Sequence, residues 1–483
     1  MNLAVQGGRP ALDDGARLWR SAELDAQVDA TAALLKTAGV RVLATSMDNS
    51  PAWVVADLAT ARAGVVHVPL PLFFTLEQVR FALHAAGADG LLLPVESVGR
   101  WPEMPAQVCS VAGQSVALLR LPFAPVAMPA RTAKVTFTSG TTGTPKGVCL
   151  TADAMRRVAV ALVDALEPLE IDRHLCALPF AVLLENIAGV MAPMARGATC
   201  ITLPLAALGL TGSSTFDPAR FHGCVERHRP QSTILLPQML RAWTGYLQRA
   251  RLRAPDSLRF VAVGGAAVGD RLIESARSVG IPAYEGYGLS EGASVQTLNL
   301  PGADRPGSCG RPLPHARIRV DEAGELQVRG SLFAGYLGTQ WPVPDWWPTG
   351  DLGRIDRDGF VHVHGRRSNV LITGFGRNVS PEWVETALRS EPAIAHAAVF
   401  GDGQPALSAV LWPVQPDLPE ARLAAAVDSA NAALPDYARV QRWVRARARF
   451  SVDAGLATAN GRPQRGAILR LHADALGLAS TAT

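Results

Sequence analysis

Residues 134–150 read KVTFTSGTTGTPKGVCL, and this stretch says more about the fold than any other part of the chain. An apolar strand pattern, VTF, runs into a segment rich in glycine and hydroxyl residues that contains Lys146. Glycines let backbone N–H groups turn toward one point, and hydroxyls add donors, so the segment predicts an anion-binding loop for phosphate oxygens. Lys146 adds a mobile charge suited to a polyphosphate. The spacing is not that of a Walker A motif, GxxxxGK[ST].

The sequence before and after this loop alternates between helix and strand patterns. Helical patterns at 21–39, 51–64 and 75–88 are separated by short apolar segments, and the same rhythm returns from STILLP at 232–237. Strands that alternate with helices of about a dozen residues are typical of βαβ units. We therefore predict an α/β fold with a mainly parallel sheet.

The pattern changes near residue 308, where apolar and polar residues alternate and indicate antiparallel strands. The segment RIDRDGFVHVHGR at 354–366 predicts a hairpin, because an aspartate–glycine turn precedes an alternating strand. After Gly365 a third pattern begins, with a helix at SPEWVETALRSEP (380–392), apolar strands and a second helix. It predicts a small α+β unit at the C-terminal end.

Composition excludes several classes of protein. The 483 residues are 48% hydrophobic and 18% charged, which excludes a disordered chain, and a net charge of +4 indicates no nucleic-acid partner. The chain has three lysines, Lys36, Lys134 and Lys146, so nearly all other basic residues are arginines. The six cysteines form no CxxC pair, so the sequence predicts no zinc site and favours a reducing compartment. With no signal-peptide pattern and an interrupted apolar stretch at 175–210, we predict a cytoplasmic protein without a transmembrane segment.

The segment TSGTTGTPKG resembles the phosphate loop of the adenylate-forming (AMP-binding) enzymes, which include acyl-CoA synthetases. Further segments resemble this family's motifs in the family's order. They are GGAAVG (264–269), YEGYGLSE (284–291), PTGDLGRID (348–356), GRRSNVLITGFGRNVSPEWVE (365–385) and TANGRPQRGAI (458–468). The resemblance implies a large N-terminal domain, 1–366, of βαβ subdomains plus a small β-barrel-like part. It also implies a small mobile α+β domain, 367–483, with a hinge near Asn369.

By this resemblance the protein activates a carboxylic acid with ATP and Mg²⁺, forms an acyl-AMP, and transfers the acyl group to CoA. Long-chain fatty acyl-CoA synthetases are the most similar type. Two alternatives stay open: an acyl-adenylate ligase that loads an acyl carrier protein, and a catalytically weakened binder of nucleotide or acyl chain. Peripheral contact of the apolar surface with a membrane also stays open.

The resemblance also assigns site residues. Tyr287 is expected to stack on adenine, Ser290 to donate to the α-phosphate, and Asp351 to hold both ribose hydroxyls. The nucleotide-binding set is Thr138, Ser139, Gly140, Thr141, Thr142, Gly143, Thr144, Lys146, Gly265, Ala266, Ala267, Glu285, Gly286, Tyr287, Gly288, Ser290, Asp351 and Arg366.

The remaining roles concern magnesium, the hinge and CoA. Glu291 is the predicted Mg²⁺ ligand, since a hard cation takes carboxylate and phosphate oxygens. Asn369 is the predicted hinge residue. The loop holding Gly374, Gly376 and Arg377 is expected to approach CoA once the small domain has rotated.

Two positions depart from the family pattern. Lys146, Glu291 and Arg462 are the predicted catalytic residues, but the family has a lysine where this chain has Arg462. Either Arg462 performs the lysine's role, or adenylation is weakened. The second departure is apolar Val182, which with Gly264 is assigned to the acyl pocket. An apolar wall favours a fatty chain over a small polar acid.

Overall fold

The fold is known from a computed structural model that describes residues 9–138, 146–212, 215–339, 341–374, 377–458 and 461–478. The α-helices follow the predicted periodic segments; for example, the Thr75 hydroxyl accepts the Gln78 N–H at 3.2 Å and caps the third helix. In chain order they are α1 Ser21–Thr37, α2 Pro51–Ala63, α3 Leu76–Ala85, α4 Ala152–Leu166, α5 Ala192–Arg196, α6 Pro218–His228, α7 Pro237–Ala250, α8 Asp270–Ser278, α9 Pro381–Arg389, α10 Glu420–Ala432 and α11 Arg465–Leu476.

The strands are short, as expected of a chain that alternates strand and helix. They are β1 Pro10–Asp13, β2 Leu18–Arg20, β3 Val42–Thr45, β4 Val66–Pro69, β5 Gly90–Pro94, β6 Ala106–Val111, β7 Gln114–Arg120, β8 Thr132–Thr138, β9 Lys146–Thr151, β10 Arg173–Leu175, β11 Thr199–Ile201, β12 Leu210–Thr211, β13 Thr215–Phe216, β14 Ser232–Leu235, β15 Phe260–Val263, β16 Ala283–Leu289, β17 Ser294–Leu298, β18 Arg311–Pro312, β19 Ala316–Val320, β20 Glu325–Gly330, β21 Gly335–Tyr336, β22 Trp347–Ile355, β23 Val361–Arg366, β24 Leu371–Ile372, β25 Asn378–Val379, β26 Ile394–Phe400, β27 Leu407–Pro413 and β28 Val440–Arg445.

Two large sheets form the body of the protein. One has the order β18-β17-β16-β15-β14-β10-β11-β1-β2, and the other has β21-β9-β8-β4-β3-β5-β7-β6. Their centres are parallel, whereas the strands near their edges pair antiparallel. Buried side chains of α1, α2 and both sheets form one hydrophobic core, in which the rings of Trp53 and Phe180 are 5.3 Å apart.

The later part of the chain forms smaller sheets. Strands β19-β20-β22-β23 make an antiparallel sheet, and β26-β27-β28 make a separate sheet against which α9 and α11 pack. The predicted α/β fold class, with a large N-terminal part and a small C-terminal α+β part, is thus confirmed. In the ranges given above, no helix has the length and apolar character needed to cross a membrane.

One buried polar network explains why a lysine stands at position 134. Its ammonium lies 2.7 Å from Asp57 Oδ1, which also lies 2.6 Å from His67 Nδ1. Asn186 donates to the second carboxylate oxygen of Asp57 at 3.0 Å. Lys134 is 3% exposed and Asp57 is 9% exposed, so each charge depends on the other for compensation. Lys134 belongs to β8, the strand that leads into the phosphate loop, so the network holds one residue of that strand.

Candidate active site

The phosphate loop joins β8 to β9, and the structure describes its two ends. Thr138 pairs with Lys146 in the antiparallel register, and the Lys146 side chain is exposed at the start of β9. Six predicted loop residues lie outside the described residues: Ser139, Gly140, Thr141, Thr142, Gly143 and Thr144. The hairpin therefore fixes where the loop begins and ends.

Tyr336, a residue that the sequence analysis did not single out, contacts Glu291 and lies near Lys146. The Tyr336 hydroxyl donates to Glu291 Oε1 at 2.7 Å, and Lys146 Nζ lies 5.7 Å from the centre of the Tyr336 ring. The cause is the pairing of β21 with β9, which places Tyr336 opposite Val148. Burial, followed by the nearby Glu291 charge, raises the pKa of Tyr336, so this phenol stays a proton donor. The carboxylate of Glu291, held beside a cation at the phosphate loop, has the donor chemistry that Mg²⁺ requires.

The two predicted adenine segments meet at the ends of neighbouring parallel strands. Gly264 follows β15, and a Cβ added there would lie 3.1 Å from the Gly286 carbonyl oxygen in β16. The glycine thus permits a close backbone approach. Gly265, with a φ of +83°, then turns the chain so that Ala266 and Ala267 follow at this strand end. This edge, the carboxyl end of parallel strands, is where α/β proteins commonly bind ligands.

Tyr287, Asp351 and Arg366 form one connected group. The Tyr287 hydroxyl donates to Asp351 Oδ2 at 2.7 Å, and Arg366 Nε lies 2.9 Å from Asp351 Oδ1. Asp351 and Arg366 stand opposite each other in the β22–β23 register, and Arg366 also donates to the Thr349 carbonyl at 2.9 Å. Burial raises the pKa of Asp351, whereas Arg366 lowers it. The group unites the predicted adenine and ribose segments, and both carboxylate oxygens of Asp351 have partners.

Arg462 reaches this group from the small domain. The Arg462 side chain is exposed to solvent, and its guanidinium lies within electrostatic range of Asp351, Arg366 and Tyr287. Partial desolvation and then the Arg366 charge lower its pKa, while Asp351 and Glu382 act in the opposite sense. The neighbouring Gly461 has a φ of +74°, and a Cβ there would lie 2.8 Å from Gln238 Nε2 of α7. The loop is therefore docked against the large domain with Arg462 turned toward the nucleotide segments.

Glu285, Gly288 and Ser290, three further residues of segment 284–291, lie in different environments. The Glu285 side chain is buried and directed to the Val268 N–H at 3.4 Å and to Cys309 Sγ at 3.7 Å. Its carbonyl accepts from Asn299 Nδ2, so this predicted nucleotide-binding residue is bonded to other residues of the protein. Gly288 is exposed on β16, and Ser290 begins the short 3₁₀ turn Ser290–Gly292 that carries Glu291.

The predicted hinge and CoA residues lie together in the small domain. Asn369 Nδ2 donates to Glu382 Oε1 of α9 at 2.5 Å. Gly374 donates to the Gln404 carbonyl at 2.7 Å, and the Arg377 N–H donates to Thr373 Oγ1 at 3.1 Å. Gly376 lies outside the described residues. These bonds hold Gly374 and Arg377 within the small domain while Arg462 occupies the cleft.

An apolar cavity lies between α4 and the first large sheet. Its lining is mostly aliphatic or aromatic and comprises Leu162, Val163, Leu166, Ile171, His174, Leu184, Ala188, Ala192, Pro193, Arg196, Ser232, Thr233, Ile234, Phe260, Ala262, Val295 and Leu298. Neither Val182 nor Gly264, the residues assigned to the acyl pocket, is in this lining. Leu184, two residues beyond Val182, is where the predicted pocket segment meets the cavity.

Comparison with known families agrees with this geometry. The AMP-binding enzyme model matches residues 2–337, and the AMP-binding enzyme C-terminal domain model matches residues 368–478. The chain belongs to the AMP-binding enzyme family. Its resemblance to that family, predicted from the motifs, is confirmed.

Three similar proteins illustrate the range of this family. The long-chain-fatty-acid–CoA ligase FadD15 of Mycobacterium bovis is 29% identical over 74% of this chain and 70% of its own length. A 3-hydroxybenzoate–CoA ligase of Aromatoleum sp. is 29% identical over 90% of both chains. The solved structure of O-succinylbenzoate CoA synthetase from Bacillus subtilis, in complex with ATP and magnesium ion, is 25% identical with a TM-score of 0.74. That match covers 95% of this chain and 96% of the solved one.

These findings define the chemistry at a coarse level. The protein is an ATP-dependent acid–CoA ligase of the adenylate-forming type, which uses ATP with magnesium and takes CoA as co-substrate. The acids named for its relatives include both fatty and aromatic ones.

Proposed function

We propose that this ligase activates a medium- or long-chain fatty acid. The apolar cavity beside α4 is the observation that carries the proposal. An alkyl chain gains about 0.8 kcal/mol for each methylene removed from water, so an apolar cavity favours an alkyl chain. The likeness to a long-chain-fatty-acid–CoA ligase supports the same substrate class.

Most of the cavity lining is apolar, and its polar members are His174, Arg196, Ser232 and Thr233. Leu162 and Leu166 come from α4, Ala188 from the segment after Leu184, and Ala262 from β15. A polar aromatic acid would need donors or acceptors to orient its ring substituents. This wall offers dispersion contacts along most of its surface, which suits a hydrocarbon tail.

In the proposed first step, a carboxylate oxygen of the acid attacks the α-phosphorus of ATP. A new O–P bond forms as the bond to pyrophosphate breaks, which leaves acyl-AMP. Lys146 and the phosphate loop hold the leaving pyrophosphate, and Ser290 donates to the α-phosphate. Arg462 offers donors to both the carboxylate and the α-phosphate oxygens. Glu291 would hold Mg²⁺, which would supply positive charge to the phosphate oxygens. Positioning and charge neutralisation carry this step.

In the proposed second step, the CoA sulfur attacks the acyl carbon and AMP leaves. The thiol proton is lost to solvent. For this step we propose that the small domain, 367–483, rotates about Asn369, withdrawing Arg462 and bringing the loop of Gly374, Gly376 and Arg377 to the thiol. Asp351 and Tyr287, which belong to the large domain, keep AMP in place throughout.

The test is pyrophosphate release with ATP and Mg²⁺ over a series of saturated fatty acids, with benzoate, 3-hydroxybenzoate and 2-succinylbenzoate alongside. We expect kcat/KM to rise about fourfold for each added methylene until the cavity is filled. Acyl-CoA should form when CoA is added. Faster turnover of an aromatic acid than of every fatty acid would contradict the proposal.

A cavity-filling variant gives the residue-level test. Ala188→Leu adds three carbons to the cavity wall, so it should lower kcat/KM for the best long acid by about 60-fold, or about 2.4 kcal/mol. It should also move the preferred chain length down by about three carbons. Ala165→Leu is the matched control, because Ala165 packs on the same hydrophobic cluster but does not line the cavity. Equal shifts in both variants would show that the cavity does not determine the preferred chain length.

A further inference from the structure

A second cluster of chemically active side chains lies inside the large domain. His174 is on β10, Cys176 follows that strand, and Glu185 begins the π-helical turn Glu185–Met191. One potential ligand atom from each of these residues lies within 4.8 Å of the others. All three are buried, at 4%, 0% and 0% exposure.

Several polar atoms of this cluster have no partner among the residues described. His174 Nε2 and both carboxylate oxygens of Glu185 are buried without a hydrogen bond. His174 Nδ1 is 2.8 Å from Ser232 Oγ, which fixes the ring and leaves Nε2 free to act toward Glu185, 3.7 Å away. Burying a carboxyl group without a partner is costly, so this arrangement calls for a cation or a proton.

A fourth donor lies next to the cluster. Cys200, on the adjacent strand β11, and Cys176 both direct their sulfur at the Gly189 carbonyl oxygen, at 3.6 and 3.3 Å. The two thiols interact with each other and with Glu185. One imidazole, one carboxylate and one thiol therefore converge, and Cys200 brings a second thiol beside Cys176 from a third chain segment.

We propose that His174, Cys176, Glu185 and Cys200 form a structural site for a divalent metal ion, with zinc as the cation that suits these donors. Nitrogen, thiolate sulfur and carboxylate oxygen are the ligands of zinc in proteins. Two ligands at about 2.1 Å from a tetrahedral zinc are about 3.4 Å apart, close to the His174–Glu185 separation. The Ser232 contact to Nδ1 is the outer contact that orients a metal-bound histidine.

The local backbone supports this assignment. A Cβ at Gly189 would lie 2.4 Å from Glu185 Oε1 and 3.1 Å from His174 Nε2, so glycine keeps the space between them open. A π-helical turn inserts one residue into a helix and often marks a functional position. Here the turn directs Glu185 to the cluster and the next residue, Asn186, to Asp57 on the opposite side.

Binding would change the protonation of the ligands. Burial raises the pKa of the Cys176 thiol and of the Glu185 carboxyl, so a bound cation would compete with protons for both groups. Zinc binding would form metal–sulfur bonds and release the thiol protons to solvent. The ion would join β10, β11 and the π-helical turn. It would stabilise the fold and take no part in the acid–CoA ligase reaction.

The first test is the metal content of the full-length protein, purified without chelators and then dialysed against zinc. We expect about one zinc per chain by mass spectrometry, and a thiolate-to-cobalt charge-transfer band after exchange for Co²⁺. A chelator should lower the melting temperature. Absence of both bound zinc and the cobalt band would overturn the proposal, whatever the ligase activity.

Substitutions distinguish a metal site from a buried carboxyl group that is merely protonated. Glu185→Gln keeps the shape of the side chain and should weaken zinc binding by about tenfold or more, as should Cys176→Ser. Cys149→Ser is the matched control, because Cys149 is equally buried in a different hydrophobic cluster. A Glu185→Gln protein that retains full zinc binding, or that is as stable as wild-type protein held in zinc, would instead assign Glu185 as a neutral acid beside His174.

Discussion

Replacing Arg462 with alanine removes a cation that the small domain places near the Tyr287–Asp351–Arg366 group. The guanidinium lies in the interdomain cleft, where Asp351 attracts it and Arg366 repels it. The attraction from Asp351 is thus opposed by the repulsion from Arg366. Most of its interaction energy remains for the carboxylate and α-phosphate oxygens that carry charge during adenylation.

The size of the effect follows from this setting. Two unit charges 4 Å apart interact by about 4 kcal/mol at the effective dielectric typical of a protein surface. Repulsion from Arg366 and the solvent in the cleft reduce that value. We expect Arg462→Ala to lower the rate of adenylation by about 10²- to 10³-fold, or about 2.7–4 kcal/mol, comparable with the loss of one preorganised donor.

The two half-reactions must be measured separately. ATP–pyrophosphate exchange reports adenylation, and thioester formation from supplied acyl-AMP reports the transfer to CoA. Arg462→Ala should impair ATP–pyrophosphate exchange and leave thioester formation within about threefold of wild type. In acyl-AMP the carboxylate is bonded to phosphorus, so it no longer carries a charge for Arg462 to neutralise. Arg462→Lys should restore much of the exchange rate. The control is Arg470→Ala, an exposed arginine on α11. Equal losses in the two half-reactions would refute the role assigned to Arg462.

Three more outcomes are expected. Tyr336→Phe removes the donor to Glu291 Oε1 and should raise the Mg²⁺ concentration needed for half-maximal adenylation several-fold, measured by Mg²⁺ titration. Lys134→Met leaves Asp57 buried without its cation and should lower the free energy of unfolding by about 3–5 kcal/mol in urea. Burial raises the pKa of Glu285 from 4.5 to about 8, so its contribution to stability falls as pH rises between these values. Glu285→Gln should abolish that loss and be the more stable protein at pH 8, by urea midpoints.

Matched substitutions at other sites provide the controls. Tyr437→Phe changes an exposed tyrosine and should leave Mg²⁺ dependence unchanged. Lys36→Met, on the exposed face of α1, should leave the free energy of unfolding nearly unchanged. Glu322→Gln, at an exposed turn, should retain the wild-type pH dependence. An unchanged Mg²⁺ requirement in Tyr336→Phe, a fully stable Lys134→Met or an unchanged pH slope in Glu285→Gln would each contradict its prediction.

The sequence alone determined the fold class and most of the element order. Helix and strand periods, the Thr75 cap and the hairpin at 354–366 are local properties, so they can be predicted from neighbouring residues. The phosphate-loop segment and the motifs that follow it also identified the family, because their residue types and order are specific. Alternation between strand and helix then required a mainly parallel sheet.

Tertiary structure decided which distant residues meet. Tyr336 reaches Glu291 only because β21 pairs with β9, and no spacing in the sequence encodes that pairing. Lys134 meets Asp57 across the interior. His174 and Cys176 meet Glu185 from a separate segment, with Cys200 beside Cys176, although the cysteines have no metal-binding spacing.

The apolar cavity has the same origin. Val182 and Gly264 were assigned to the acyl pocket from the family motifs around them, yet the cavity is formed by α4, the segment after Leu184 and the strands facing them. Side-chain packing between elements fixes where space remains, and packing depends on contacts far apart in the chain. The sequence therefore identified the reaction, whereas the folded chain decided which side chains line the cavity and which buried polar groups lie without a partner.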